Sequence, residues 1–309
     1  MGRYADAQTA YEQGLVIKQK NGDSRGEAVT QGQLGTLALF QNKLAEAEQH
    51  YQTALAIFQS FQEPGSEAIV WHQLGVVYQE TKQWEAAEHA YRQAANIREA
   101  QENFSSAAQT WNNLALVTEN MGKLVEAEAW YRKAIEVHKQ FNNPKEVAMG
   151  LSNLAYLLQN QPYRLPEAQQ LTERALVINK TLDPATVEIW KSYGLLAQIA
   201  DKQGNTREAK KNRREAREAK ANFAGTRYEL KQKHSQFILA VAWGENVETA
   251  LEGYREEDWE NLKIAVQQIL AGERDVDKLC EPLTFYDAPI ITAILEGIEQ
   301  PESLKWFED

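Results

Sequence analysis

The chain has 309 residues, 43% of them hydrophobic and 25% charged, with eight prolines and seventeen glycines, a composition that suits a helical chain in water. One cysteine, Cys280, excludes a disulfide framework and a clustered thiolate metal site. No run approaches eighteen apolar residues, and the opening MGRYADAQTAYEQG lacks a signal-peptide core and, with Asp6 where Ser or Thr is needed, a myristoylation signal; the expected place is the cytoplasm, away from membranes. The net charge of −11 is unevenly spread: residues 202–233 hold eleven basic and four acidic side chains, and residues 245–309 hold five basic and seventeen acidic ones.

From the first residues onward the sequence repeats. Alanines 7, 47, 87, 127, 168 and 209 recur every 40 or 41 residues. Four positions later stand Tyr11, Tyr51, Tyr91 and Tyr131, then Thr172 and Arg213, and three beyond those Gly14, Ala54, Ala94, Ala134, Ala175 and Ala216. Upstream in each unit come Leu34-Gly35, Leu74-Gly75, Leu114-Ala115, Leu154-Ala155 and Leu196-Ala197. Trp71, Leu74, Gly75 and Tyr78 fall on one helical face, as do Trp84, Ala87, Tyr91 and Ala94 on the next helix. Each unit is therefore two amphipathic helices, with small residues where backbones approach and rings filling the space beside them. Such a unit cannot bury its apolar face alone, so neighbours stack into a solenoid. Pro64, Pro144 and Pro184 mark junctions between units.

The count gives five complete pairs preceded by a lone second helix carrying Tyr4, Ala7, Tyr11 and Gly14. The array thus starts mid-repeat. Its open face predicts a fragment of a longer protein, or a surface covered by a partner or by self-association. At the other end Thr172 and Arg213 replace the ring and an extra residue enters near Gln161-Pro162, which predicts altered packing.

After Phe223 the period is lost, dividing the chain into an array over 1–223 and an acidic helical cap over 224–309. One helix carries Leu230, Phe237, Ile238 and Val241 and ends near Gly244. A second opens at Glu256-Glu257-Asp258, which suits the positive helix N-terminus, carries Trp259, Leu262, Val266, Ile269 and Leu270, and stops at Gly272. A third follows Asp287 as N-cap with Ile290, Ile291, Ile294, Leu295 and Ile298. The basic helix NTREAKKNRREAREAK could draw the acidic tail onto itself or remain solvated. It lacks interleaved aromatics and adjoins a strongly acidic segment, so nucleic acid is not an expected partner.

Signs of catalysis are missing. The chain has no phosphate-binding glycine loop, dinucleotide fingerprint or nucleophile elbow. Its five histidines form no metal motif, and His50, His89 and His138, set among polar neighbours on second helices, read as solvent-facing. Cys280 has no flanking motif and reads as a half-buried small residue. The expectation is a non-enzymatic protein without cofactor or metal.

The motif Trp71, Leu74, Gly75, Tyr78 followed by Ala87, Tyr91, Ala94 resembles the tetratricopeptide repeat (TPR) family, and its long units are similar to those of kinesin light chains and of bacterial arrays that follow a signalling ATPase. The resemblance covers residues 1 to about 223. It implies an all-α, right-handed superhelical solenoid whose first helices line a concave groove. With Trp71 at position 4 of its unit, the packing residues lie at 4, 7, 8 and 11, and positions 2, 5, 6, 9, 12 and 13 point to roughly the opposite side. These are the candidate groove residues.

Position 5 holds Gly32, His72, Asn112, Ser152 and Gly194; position 6 holds Gln33, Gln73, Asn113 and Asn153, then Leu195. Val76, Leu116 and Tyr156 supply apolar and aromatic surface, and Gln79, Glu119, Asn120 and Asn160 complete the set. Four successive carboxamides, each both donor and acceptor, can bracket the backbone of an extended or helical peptide without reading its side chains; the resemblance implies such a use of groove asparagines. The basic clamp of shorter TPR domains does not carry over, since Gln109 and Asn113 stand at the corresponding places. The expected role is a scaffold for a protein or peptide ligand. Alternatives are the sensor arm of a larger bacterial signalling ATPase or effector, and a self-assembling scaffold.

Overall fold

A computed structural model describes residues 2–183, 186–252, 259–283 and 287–308. Among them every regular element is helical. A lone α1 (Gly2–Lys20) precedes α2 (Ser24–Phe40), α3 (Leu44–Ser60), α4 (Pro64–Glu80), α5 (Trp84–Ala100), α6 (Phe104–Asn120), α7 (Leu124–Gln140), α8 (Pro144–Leu158), α9 (Leu165–Asn179), α10 (Ile189–Lys202) and α11 (Thr206–Ala221). Within residues 1–157 the helices α2 and α3, α4 and α5, and α6 and α7 pack as antiparallel pairs, as α10 and α11 do within residues 158–309. After them come α12 (Ala224–Trp243), α13 (Val247–Glu252), α14 (Glu260–Leu270), α15 (Val276–Cys280), α16 (Ala288–Glu299) and α17 (Lys305–Glu308).

Contacts group the chain into two compact units, residues 1–157 and 158–309. In the first, helices of seventeen residues alternate with turns built one way. A residue with left-handed backbone recurs every twenty positions: Gly22, Asn42, Gln62, Lys82, Glu102, Gly122 and Asn142. At Asn42 the paired bonds Lys43 N→Ala38 O (2.8 Å) and Asn42 N→Leu39 O (3.0 Å) close the Schellman motif that satisfies the last carbonyls of α2. Entries vary more. Asp23 and Asn103 accept a backbone N–H as N-caps, whereas Pro64 and Pro144 occupy the first helical position, where a missing N–H costs nothing. Pro184 lies outside the described residues.

The core of this unit is a column of rings over small residues. Tyr51, Tyr91 and Tyr131 are at most 1% exposed, and each buried ring is worth roughly 1.5–3 kcal/mol in transfer terms. A Cβ added at Gly35 would stand 2.8 Å from the Tyr51 ring, and one at Gly75 would stand 2.6 Å from that of Tyr91. Those glycines are therefore contact points. On α1 the matching Ala7, Tyr11 and Gly14 are only half-buried, and Tyr4, Val16 and Ile17 are exposed. His138 departs from expectation: in the last turn of α7 it is buried, and neither ring nitrogen has a hydrogen-bond partner among the described residues.

In the second unit the extra residue is absorbed by a 3-10 turn at Pro162–Arg164 before α9. Beyond α11, side chains of α12, α14, α15 and α16 share one core of Leu230, Phe237, Ile238, Val241, Leu262, Val266, Ile269, Leu279, Cys280, Ile290, Ile291, Ile294 and Leu295. Gly244 caps α12 in the left-handed region and Gly272 follows α14. The acidic run read as the start of α14 lies outside the described residues. Leu270, read as part of its buried stripe, is exposed because the helix ends there. Cys280 is fully buried, and burial pushes its thiol up to about 11. The basic helix does meet the acidic segment: the buried Arg217 pairs with Asp277, and Lys210 Nζ lies 3.1 Å from Glu281. No helix among the described residues is long and apolar enough to cross a membrane.

Candidate functional site

First helices repeated every forty residues put one carboxamide at the same helical position on α2, α4, α6 and α8. Gln33 is exposed and Gln73, Asn113 and Asn153 are half-buried. Two of the four are tied within the unit: Asn113 Nδ2 donates to the Tyr91 hydroxyl at 3.4 Å and Asn153 Nδ2 to Asn112 Oδ1 at 3.4 Å. Both bonds are long, and each of these side chains keeps an unused oxygen acceptor.

The other expected groove residues divide into two sets. Leu116 and Tyr156 are exposed, Val76 is half-buried, and Asn120 bonds back to its own helix at Leu116 O, 2.8 Å away. Asn160, in the second unit, accepts from Lys202 Nζ at 2.9 Å. The remaining four face inward. Gln79 and Glu119 accept the hydroxyls of Tyr91 (3.2 Å) and Tyr131 (3.1 Å), and burial raises the Glu119 carboxyl above its usual range. Asn112 is buried. His72 lies edge-on to Tyr91, with Nδ1 3.2 Å from Thr110 Oγ1 and 3.4 Å from Arg98 Nη1. Burial, and then the Arg98 charge, lower its pKa to about 4, so the ring is neutral at pH 7.

Between α2 and α4 the same face opens into a cleft of about 340 Å³. Tyr51, Phe58 and Val70 form its floor, Val29 and Ile69 its walls, and Gln33, Gln73, Thr36 and Ser66 its polar edge. No charged side chain lines it. Two members of the carboxamide series thus border one apolar recess. Its walls sit at position 2, which helical arithmetic assigns to the outward-facing side; Val29 and Ile69 at that position, 42% and 58% exposed, were the signal in the sequence. Among the described residues no group of three or more His, Cys, Asp or Glu side chains is placed to hold a metal ion.

The tetratricopeptide repeat family matches residues 1–60, 41–100 and 106–181, more than half of the chain, and the protein belongs to that family. No curated protein matches the sequence. Among solved structures it is similar to BtubC (BKLC) from P. vanneervenii, with 22% identity over 71% of this chain and 89% of that one and a TM-score of 0.62. It is also similar to the nearly identical TPR-like repeats ascribed to a kinesin light chain of Podosopora anserina, with 20% identity, 62% and 94% coverage and a TM-score of 0.54. A third is aspartyl phosphate phosphatase F from Bacillus subtilis, with 18% identity, 93% and 74% coverage and a TM-score of 0.61. At such identities the likeness is one of fold.

Proposed function

We propose that the protein is an interaction scaffold that holds an extended peptide segment of a partner protein along the first helices of residues 1–157. The observation that carries this reading is the pairing, on one face, of carboxamides at a single helical position with apolar and aromatic surface at Ile69, Leu116 and Tyr156. Carboxamides satisfy the backbone N–H and C=O groups that an extended peptide brings; the apolar side chains beside them supply burial. No bond is made or broken in this role.

The test uses peptides selected from a random library displayed on phage, with the wild-type protein as bait. Asn113→Ala combined with Asn153→Ala should weaken the selected peptides by about 1–3 kcal/mol, two hydrogen bonds at about 0.5–1.5 kcal/mol each, with the helical circular dichroism unchanged. Equal affinity of wild type and double variant, by fluorescence anisotropy, would remove the carboxamide series from the binding face.

A further inference from the structure

The cleft at Gly32 has counterparts one and two units along, and in both the chain's own side chain occupies the space. Forty residues after Tyr51, Phe58 and Val70 stand Tyr91, Arg98 and Thr110. These three surround His72, the residue forty after Gly32: the His72 ring packs on Tyr91, and its Nδ1 meets Thr110 and Arg98. In the following unit Asn112 takes that place and is buried, accepting from Asn153. Only at the first of the three is the position a glycine. A Cβ added to Gly32 would meet nothing within 4 Å.

The lining changes together with the plug. Where His72 fills the space the walls are polar, with Arg98 bonded to Ser106 O at 2.9 Å and to the Thr110 hydroxyl. Where Gly32 leaves it open the equivalent pair is Phe58 and Val70. Polar walls with no plug would be left to water. Apolar walls with no plug are suited to an apolar group from outside.

We infer that the Gly32 cleft is an anchor subsite for one bulky, uncharged apolar side chain of an extended peptide, and that Gly32 keeps it open by withholding the side chain its counterparts insert. The inference rests on the peptide-binding reading and adds to it the class of residue recognised. Charge selects the occupant: the lining has no charged residue, and the nearby Arg25 and Glu63 neutralise each other at 2.6 Å. A carboxylate or ammonium entering here would lose water without gaining a partner. Gln33 and Gln73 at the edge are placed to take the backbone on either side of the anchor.

Gly32→Leu tests this directly. It adds an apolar plug where there is room, and it replaces a helical glycine, so folding is not weakened. The probes are N-acetyl-phenylalaninamide and N-acetyl-glutamic acid amide, titrated while the methyl resonances of Val29 and Ile69 are followed by NMR. The phenylalanine probe should shift both methyl signals saturably, and Gly32→Leu should weaken it at least about tenfold, the scale of a filled hot-spot pocket. The glutamate probe should leave the signals in place. Absence of a saturable shift in the wild type, equal binding to Gly32→Leu, or equal binding of the two probes would each overturn the inference. Phage-selected peptides separate the two proposals. Loss with Asn113→Ala/Asn153→Ala but not with Gly32→Leu leaves the groove reading and removes the anchor; the reverse keeps the anchor and removes the carboxamide series.

Discussion

The ring column of residues 1–157 and its continuation in residues 158–309 use one repeat position in different ways. In the first unit Tyr51, Tyr91 and Tyr131 are buried, the first two against Gly35 and Gly75. Their hydroxyls reach Thr36 (2.9 Å), Gln79 and Glu119 on the preceding helix. In the second unit the ring gives way to Thr172, which turns back to Ala168 O at 2.8 Å, and the facing Gln159 is left with a buried Oε1 that no donor reaches among the described residues. One unit later Arg213 pairs with Asp201 instead. The facing polar residue persists as Gln79, Glu119, Gln159 and Asp201, while the group that approaches it changes from a buried ring to a hydroxyl to a cation. From α4 onward a polar side chain holds this place; one repeat earlier the place is Leu39, and Tyr51 meets Thr36 instead. The ring carries the burial energy, and only the first unit has it throughout.

Truncating the side chain at this position in each unit separates the ring from the position it occupies. Tyr91→Ala removes a fully buried ring that nothing can replace and should cost about 3–5 kcal/mol. Arg213→Ala removes one half of a solvent-facing ion pair, whose worth is about 0–1 kcal/mol. Urea denaturation followed by tryptophan fluorescence measures both. Similar losses would mean that the position matters and the ring does not.

The array could be read from the sequence because a column of tyrosines and alanines at fixed spacing has one explanation, helix pairs burying the same face. The loss of pattern after Phe223 coincides with the start of α12, and Gly244 and Gly272 ended their helices as glycines do. The turns were not legible. A left-handed residue every twenty positions is filled by Asn42, Gln62, Lys82 and Glu102 as well as by glycine, so it leaves no compositional trace; helix length imposes it. The expected groove positions rest on helical angle, and angle alone does not say whether a side chain reaches the open face. His72 and Asn112 share a position with Gly32, and they fold inward because a neighbouring unit stands beside them. Contacts between units lie outside the arithmetic of a single helix.

A second column, in the last turn of each second helix, also changes along the chain. In the first unit Phe58 meets apolar surface and Arg98 meets Thr110, and in the second Asn179 donates to Ser192 Oγ at 3.3 Å while Lys220 lies 4.9 Å from the centre of the Trp190 ring. His138 stands between them, both its nitrogens unpartnered among the described residues. Burial lowers its pKa, as it does those of His50, His72 and His234. Each folded value then lies below the unfolded value of about 6.5. The unfolded chain binds more protons as pH falls below that value, down toward about 4 for His72, and these histidines withdraw stability across that window. His138→Leu keeps the bulk and removes the buried polar atoms, and should raise stability at pH 7 by about 1–2 kcal/mol. It should also flatten the fall in Tm between pH 7 and pH 5. An unchanged pH slope with lowered stability would show that the imidazole is satisfied where it lies.

The smallest effect concerns the turns. In the first unit the left-handed place is mostly held by residues with a Cβ, whereas the second unit's regular turn after α10 has Gly204. If helix length sets the turn, the occupant contributes only its own backbone preference. A left-handed L-residue costs roughly 1–2 kcal/mol, and glycine returns part of that in unfolded-state entropy. Glu102 is exposed on its turn, so Glu102→Gly should stabilise the fold by about 0.5–1 kcal/mol. Gly122→Ala, the inverse change on the next turn, should destabilise by a comparable amount. Thermal denaturation of the pair reads the difference as a Tm shift of opposite sign. Two shifts in the same direction would mean that side-chain contacts, and not backbone preference, decide who occupies the turn.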